Sequence, residues 1–214
     1  MTGVWAGLRP LLARPDKGGH VSARTADLSR RHTVRVSARG VVTVTGGKLT
    51  TYRKMAQDTV DAVVGRLGES PRRRRCITKS LPLIGATTKT RDPVALAQPQ
   101  ARLLGRYGNE SGAVLAVADG RPELLEPVVA GLPYTAAEVL YAVREEMAQT
   151  LDDVLSRRTR ATIQRAHDTM SAAAAVAALV APDMGWDDKE AADQAMRYSE
   201  SCQKELLTAG LDLR

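Results

Sequence analysis

The sequence predicts an α+β chain, with a short β-hairpin in its first third and an all-helical remainder. Three observations carry this. Residues 32–45 alternate apolar and polar around Arg39–Gly40. From about Thr50 the apolar positions recur at three- and four-residue steps. After about residue 80 the strand signal stops. Alternation marks a pleated strand, and three- and four-residue steps mark one face of a helix.

In chain order, residues 3–12 read as a short strand stopped by Pro10, and residues 13–28, with Gly18–Gly19, as a loop. His32 to Ser37, the Arg39–Gly40 turn and Val41 to Thr45 make the hairpin. Met55, Val60, Val63, Val64 and Leu67 then give a helix over about 50–67, stopped by Gly68. Residues 69–80, with the run Arg72–Arg75, read as a linker. Helices are expected at 95–107, 111–119 and 122–130. A further one starts at Thr135 with Glu138 as its capping-box partner and continues through Val139, Leu140, Val143, Met147, Leu151, Val154 and Leu155. Another covers 160–181 and stops at Pro182. The last starts at Asp187, with Glu190, and carries Ala195, Tyr198, Cys202 and Leu206 on one face. The expected division is a first domain over 1–70, a linker over 71–85 and a helical domain over 86–214.

The 214 residues are 43% hydrophobic and 26% charged, enough for a real core. There is no Phe, with two Trp and five Tyr, so the core must come from Ala, Val, Leu and Met. A net charge of +7 permits an anionic partner. Arg72–Arg75 sits in a linker without interleaved aromatics, so bases have no stacking platform and nucleic acid is not expected. Cys76 and Cys202 are far apart, which excludes a disulfide framework and a zinc ribbon. No apolar run approaches the roughly 18 residues of a spanning helix, and no secretory pattern opens the chain. A cytoplasmic setting is expected.

Thr45-Gly46-Gly47-Lys48-Leu49-Thr50-Thr51 joins a strand to a helix start. Such a unit points bare backbone N–H groups and a positive dipole end outward, toward an anion or a polarised oxygen. It is not a nucleotide P-loop, because Leu49 stands where Ser or Thr must follow the lysine and Gly40 is at the wrong distance. Arg9 stands before Pro10, and Arg30 opens Ser29-Arg30-Arg31-His32. An arginine fork suits phosphate or carboxylate. His32 reads as a strand residue. No metal cluster, Ser-His-Asp set or carboxylate pair stands out.

Three segments together resemble one family: Gly7-Leu8-Arg9-Pro10-Leu11, Ser29-Arg30-x-His32 and Gly46-Gly47-Lys48-Leu49-Thr50-Thr51-Tyr52-Arg53. They look like the C-terminal part of FAD-dependent, aerobic-type glycerol-3-phosphate dehydrogenase. Thr78 to Leu83 and Glu146 to Arg160 resemble the start and the core of that family's helical C-terminal domain. The resemblance implies oxidation of sn-glycerol 3-phosphate to dihydroxyacetone phosphate, with FAD as cofactor and quinone as acceptor. It also implies peripheral membrane association at the inner face. Arg9 and Arg30 would then hold the substrate phosphate or orient the substrate. Lys48 would sit beside substrate and flavin. The backbone of Gly46, Gly47, Lys48, Leu49 and Thr50 would face the flavin pyrimidine edge. The family's strand–G-x-G-x-x-G–helix for the ADP half of FAD does not occur here. The expectation is therefore a truncated chain, inactive alone, or one completed by an upstream polypeptide. The alternative reading is a standalone helical interaction module for an anionic partner.

Overall fold

The computed structural model describes residues 7, 11–12, 31–68, 76–86 and 98–211. Contacts divide the chain into two compact units, Gly7–Leu83 and one that includes Ile84–Arg214. The expected strand over 3–12 falls almost wholly outside the described residues, and the loop over 13–28 and Arg72–Arg75 do so entirely.

In the first unit, strands β1 (Thr33–Val36) and β2 (Val42–Thr45) pair antiparallel, with Val34 opposite Val44 and Val36 opposite Val42. This register places all four valines on one face. The turn closes through Gly40 N–H to the Ser37 carbonyl at 2.9 Å. Gly40 has φ +87°, and a Cβ there would meet the Arg66 guanidinium at 2.9 Å, so both backbone and space require glycine. A 3-10 turn, Leu49–Thr51, leads into helix α1 (Tyr52–Arg66). Gly68, at φ +77°, follows the Leu67 cap and ends the helix. Both terminal nitrogens of Arg53 donate to the Leu81 carbonyl at 3.1 Å, which ties residues 76–83 to α1. None of the described residues of this unit is fully buried. Among the described residues, the hairpin meets one side of α1.

The second unit holds α2 (Gln98–Tyr107), α3 (Ser111–Ala116), α4 (Ala136–Arg144), a π-helix (Asp153–Arg158), α5 (Ala161–Gln164), α6 (Ala166–Met184) and α7 (Asp188–Thr208). Leu103, Val114, Val139, Leu151, Leu155 and Val176 are among the residues of its main core. Alanines substitute for the missing aromatics: Ala173 and Ala177 of α6 and Ala191 and Ala195 of α7 are all buried, letting backbones approach closely. Ala195, Tyr198, Cys202 and Leu206 are the buried face of α7, as their spacing predicts. Asp187 caps this helix by accepting Glu190 N–H at 2.7 Å. The Glu190 carboxylate instead takes Arg197 at 2.6 Å.

The predicted capping box at Thr135 is present. Thr135 Oγ1 accepts Glu138 N–H at 3.3 Å, and Glu138 Oε2 accepts Thr135 N–H at 2.9 Å. Three expected helices differ from what the fold contains. In place of a helix over 122–130 there is only a 3-10 turn, Pro122–Leu125. Beyond it the chain folds back, with Val128 N–H on the Tyr134 carbonyl and Ala136 N–H on that of Glu126. The helix from Thr135 ends at Arg144 rather than running to Leu155. Met147 takes φ +57° and stands exposed, because Arg158 pulls the Glu146 carbonyl with two N–H bonds, at 2.7 and 3.0 Å. Thr150 and Asp153 then cap a new start. The helix expected over 160–181 breaks at Arg165, and α6 passes through Pro182 to Met184. The helix runs on past Pro182 although proline cannot donate the N–H bond to the preceding turn, and Gly185 at φ +68° makes the actual stop.

Candidate functional site: the Gly46–Thr51 turn

The turn after β2 is built by crowding from behind. Gly46 and Gly47 have φ +77° and +88°, which side-chain-bearing residues rarely adopt. A Cβ on Gly46 would meet the Arg31 carbonyl oxygen at 2.8 Å. One on Gly47 would strike the Met55 thioether and sit 3.2 Å from His32 Cβ. The two glycines therefore press against the entry to β1 and against α1.

Lys48 follows in extended conformation, with φ −132° and ψ 154°. Thr51 closes the turn: its N–H and its hydroxyl both reach the Lys48 carbonyl at 3.0 Å, and its Oγ1 accepts Lys48 N–H at 3.3 Å. The first-turn N–H groups of Leu49 and Thr50 have no intrahelical partner by position. The Lys48 side chain is exposed, and among the described residues its ammonium has no ion-pair or hydrogen-bond partner. The structure thus brings Gly46, Gly47, Lys48, Leu49 and Thr50 into one small concentration of positive potential. Arg9 and Arg30 lie outside the described residues.

His32 does more than fill a strand position. Its Nε2 lies 2.8 Å from Asp58 Oδ2, and Lys54 Nζ lies 2.8 Å from Asp58 Oδ1. Lys54 first, and then His32, hold the Asp58 carboxyl below the usual carboxylate range, while Asp58 raises Lys54. This pairing ties the residue that backs Gly47 to α1. The 26-residue separation hides it in the sequence, since only the fold brings the hairpin entrance to the inner face of the helix.

Among the described residues there is no group of three His, Cys, Asp or Glu side chains able to hold a metal ion. Among the described residues no helix is long and apolar enough to cross a membrane. Both cysteines are free, Cys76 exposed and Cys202 buried.

The fold and this turn define a mixed chain whose strand-bearing unit presents a cationic helix start and whose other unit is helical. Residues 76–191, more than half the chain, match the family described as the C-terminal domain of alpha-glycerophosphate oxidase. The chain belongs to that family. Its similar curated proteins are glycerol-3-phosphate dehydrogenases. That of Mycobacterium leprae is 38% identical over 96% of this chain and 36% of its own length. Glycerol-3-phosphate dehydrogenase 1 of Mycobacterium tuberculosis is 45% identical over 74% of this chain and 30% of its own. The X-ray structure of glycerol-3-phosphate dehydrogenase from Bacillus halodurans complexed with FAD matches with a TM-score of 0.62 and 28% identity. It is matched over 81% of this chain and 36% of that one. The chain spans 30% to 36% of the length of these relatives.

Proposed function

We propose that this chain is the substrate- and flavin-facing C-terminal portion of a flavin-dependent glycerol-3-phosphate dehydrogenase. It does not turn over alone and works together with a polypeptide that binds the ADP half of FAD. The observation that carries this reading is the Lys48 ammonium, without a partner among the described residues, on the double-glycine turn at the start of α1. The turn suits a flavin because its glycines are fixed from behind, which leaves bare backbone on the outer side.

FAD would supply the hydride acceptor, held with its pyrimidine edge toward the backbone of Gly46 to Thr50 and the Lys48 ammonium. The first-turn N–H groups and the Lys48 ammonium would supply fixed positive potential at that edge, where it would favour an electron-rich ring. Arg9 and Arg30 bind the substrate phosphate by their planar forks and so orient the carbon that loses hydride. Quinone is the electron acceptor, and the work is done at the inner membrane face.

The test is anaerobic flavin reduction by sn-glycerol 3-phosphate. The purified chain is expected to show no visible flavin and no reduction. Coexpressed with the part of the Mycobacterium leprae relative that it does not align with, it is expected to restore reduction. Lys48→Met should slow that reduction about 100-fold, the scale of losing one charge-stabilising donor. Turnover by the chain alone would refute the shared-machinery reading, and an unchanged rate in Lys48→Met would remove the lysine's role.

A further inference from the structure

The run Arg157-Arg158-Thr159-Arg160 closes the π-helix, and its three arginines are used differently. Arg157 is held by Asp152 and by Asp153, the latter at 2.9 Å. Arg158 spends two N–H groups on the neutral Glu146 carbonyl. Arg160 has φ +60° and ψ 25°, and its exposed side chain has no hydrogen-bond or ion-pair partner among the described residues. The fold sets that backbone. The buried Thr159 hydroxyl reaches the Val154 and Leu155 carbonyls, at 2.9 and 3.2 Å, and so locks the chain reversal between the π-helix and α5. The left-handed region suits glycine or asparagine far better than arginine. A strained residue kept without a contact of its own marks a side chain in use.

The surroundings indicate what that use is. Arg106 of α2 donates to the Arg158 carbonyl, two residues before Arg160. Gln164 Nε2 bridges the Arg160 carbonyl, at 3.3 Å, and the Tyr134 hydroxyl, at 2.6 Å. Arg102 and Arg106 lie over that same tyrosine ring. These bonds join four arginines into one cluster within the helical unit. Among the described residues Glu138 is the one carboxylate that any of the four contacts, and Arg102 and Arg106 share it. Even with the neighbouring Glu146 carboxylate counted, four guanidinium groups face two carboxylates, which leaves an excess of two positive charges. A carboxylate ligand would cancel half of that excess. A phosphomonoester carries about −1.5 to −2 at pH 7 and brings three acceptor oxygens, which arginine forks fit.

We propose that Arg158 and Arg160, backed by Arg106, form a binding site for a small soluble phosphomonoester on the helical unit. Arg160 supplies a whole guanidinium fork. Arg158 adds the terminal nitrogen that it does not spend on Glu146, and Arg106 adds positive potential beside the Arg158 carbonyl. The site shares no residue with the Gly46–Thr51 turn and does not rest on the flavin reading.

The test is calorimetric titration of the full chain with inorganic phosphate, in about 0.15 M chloride so that diffuse surface charge is screened. Wild type is expected to bind, and Arg160→Gly to bind about tenfold more weakly, for the loss of a charge-assisted fork. Glycine relieves the left-handed backbone, so the urea midpoint of Arg160→Gly is expected to be no lower than that of wild type. Arg157→Gln, which removes a charge already held by Asp152 and Asp153, is expected to bind phosphate as wild type does. So is Lys48→Met. No binding by wild type overturns the proposal, as does equal affinity in Arg160→Gly. A lowered urea midpoint in Arg160→Gly overturns it by giving that side chain a structural task. An equal loss in Arg157→Gln overturns it by reducing the effect to net charge. A loss in Lys48→Met places the phosphate on the Gly46–Thr51 turn instead. Capture by phosphatidic acid vesicles without binding of inorganic phosphate assigns the cluster to a membrane headgroup and equally overturns it.

Discussion

The carboxylate of Glu138 is fully buried, and it holds the backbone N–H of Thr135 at 2.9 Å while the Arg102 guanidinium grips it from α2. Arg106 adds its Nε at 3.4 Å, and both arginines stack on Tyr134 at 5.8 and 5.1 Å. One side chain thus caps α4 and anchors α2. Glu138→Ala would strip the partner from two partly desolvated cations, a loss of roughly 3–5 kcal/mol for a broken buried pair. Glu138→Gln keeps the cap's acceptor oxygen and is expected to lose less. Urea denaturation followed by helical circular dichroism ranks the three proteins. A Glu138→Ala midpoint equal to wild type would show that the pair contributes nothing.

The acid limb of stability follows from Asp58. Lys54 and His32 lower its folded-state pKa, so the folded form binds fewer protons than the unfolded one. The contribution is complete above the unfolded carboxylate value of about 3.9 and fades as pH falls through the depressed folded value. Asp58→Asn is expected to flatten the loss of hairpin-unit stability below about pH 4. Native-state hydrogen exchange of β1 and β2 amides across that range checks it. Equal acid sensitivity in both proteins would place the titration elsewhere.

Local signals made much of this fold legible in advance. Alternation around Arg39–Gly40 placed the hairpin, and the spacing of Met55 to Leu67 placed α1. The pair Thr135 and Glu138 located the start of α4 to the residue, because a capping box is satisfied within one turn. What failed was continuity. The apolar positions Val143, Met147 and Leu151 keep helical spacing, yet Arg158 draws the Glu146 carbonyl out of any helix from twelve residues away. Pro182 looked like a stop, but α6 continues to Met184 and the left-handed Gly185 ends it. The glycine–lysine turn was readable from residue types alone. The His32–Asp58 link behind it was not, since no local pattern couples a strand entrance to a helix 26 residues on.

The two cysteines lie one in each unit and should report on them separately. Burial pushes the Cys202 thiol up to about 11, whereas Cys76 is exposed. A thiol reagent at neutral pH is expected to modify one thiol per native chain quickly and the second only on unfolding. The raised pKa also sets an alkaline limb. Its contribution is complete below the unfolded thiol value of about 8.5 and is lost as pH rises through about 11. Two fast thiols in the native chain would mean that α7 opens far more readily than its packing implies.

Gly47 offers the sharpest test of how the turn is held. Alanine there must adopt φ +88° and place its methyl against the Met55 thioether and His32 Cβ. The left-handed backbone alone costs roughly 1–2 kcal/mol for a side-chain-bearing residue, and the collision adds to it. Gly68 also has positive φ, +77°, but nothing lies within 4 Å of a Cβ there. Gly68→Ala therefore isolates the backbone cost from the steric one. Gly47→Ala is expected to destabilise the hairpin unit more than Gly68→Ala, and Gly47→Ala with Met55→Ala should recover part of the difference. Hydrogen exchange of the β1 and β2 amides reads all three variants on one scale. If Gly47→Ala proves no worse than Gly68→Ala, Met55 and His32 do not brace the turn and the outward presentation of Lys48 needs another cause.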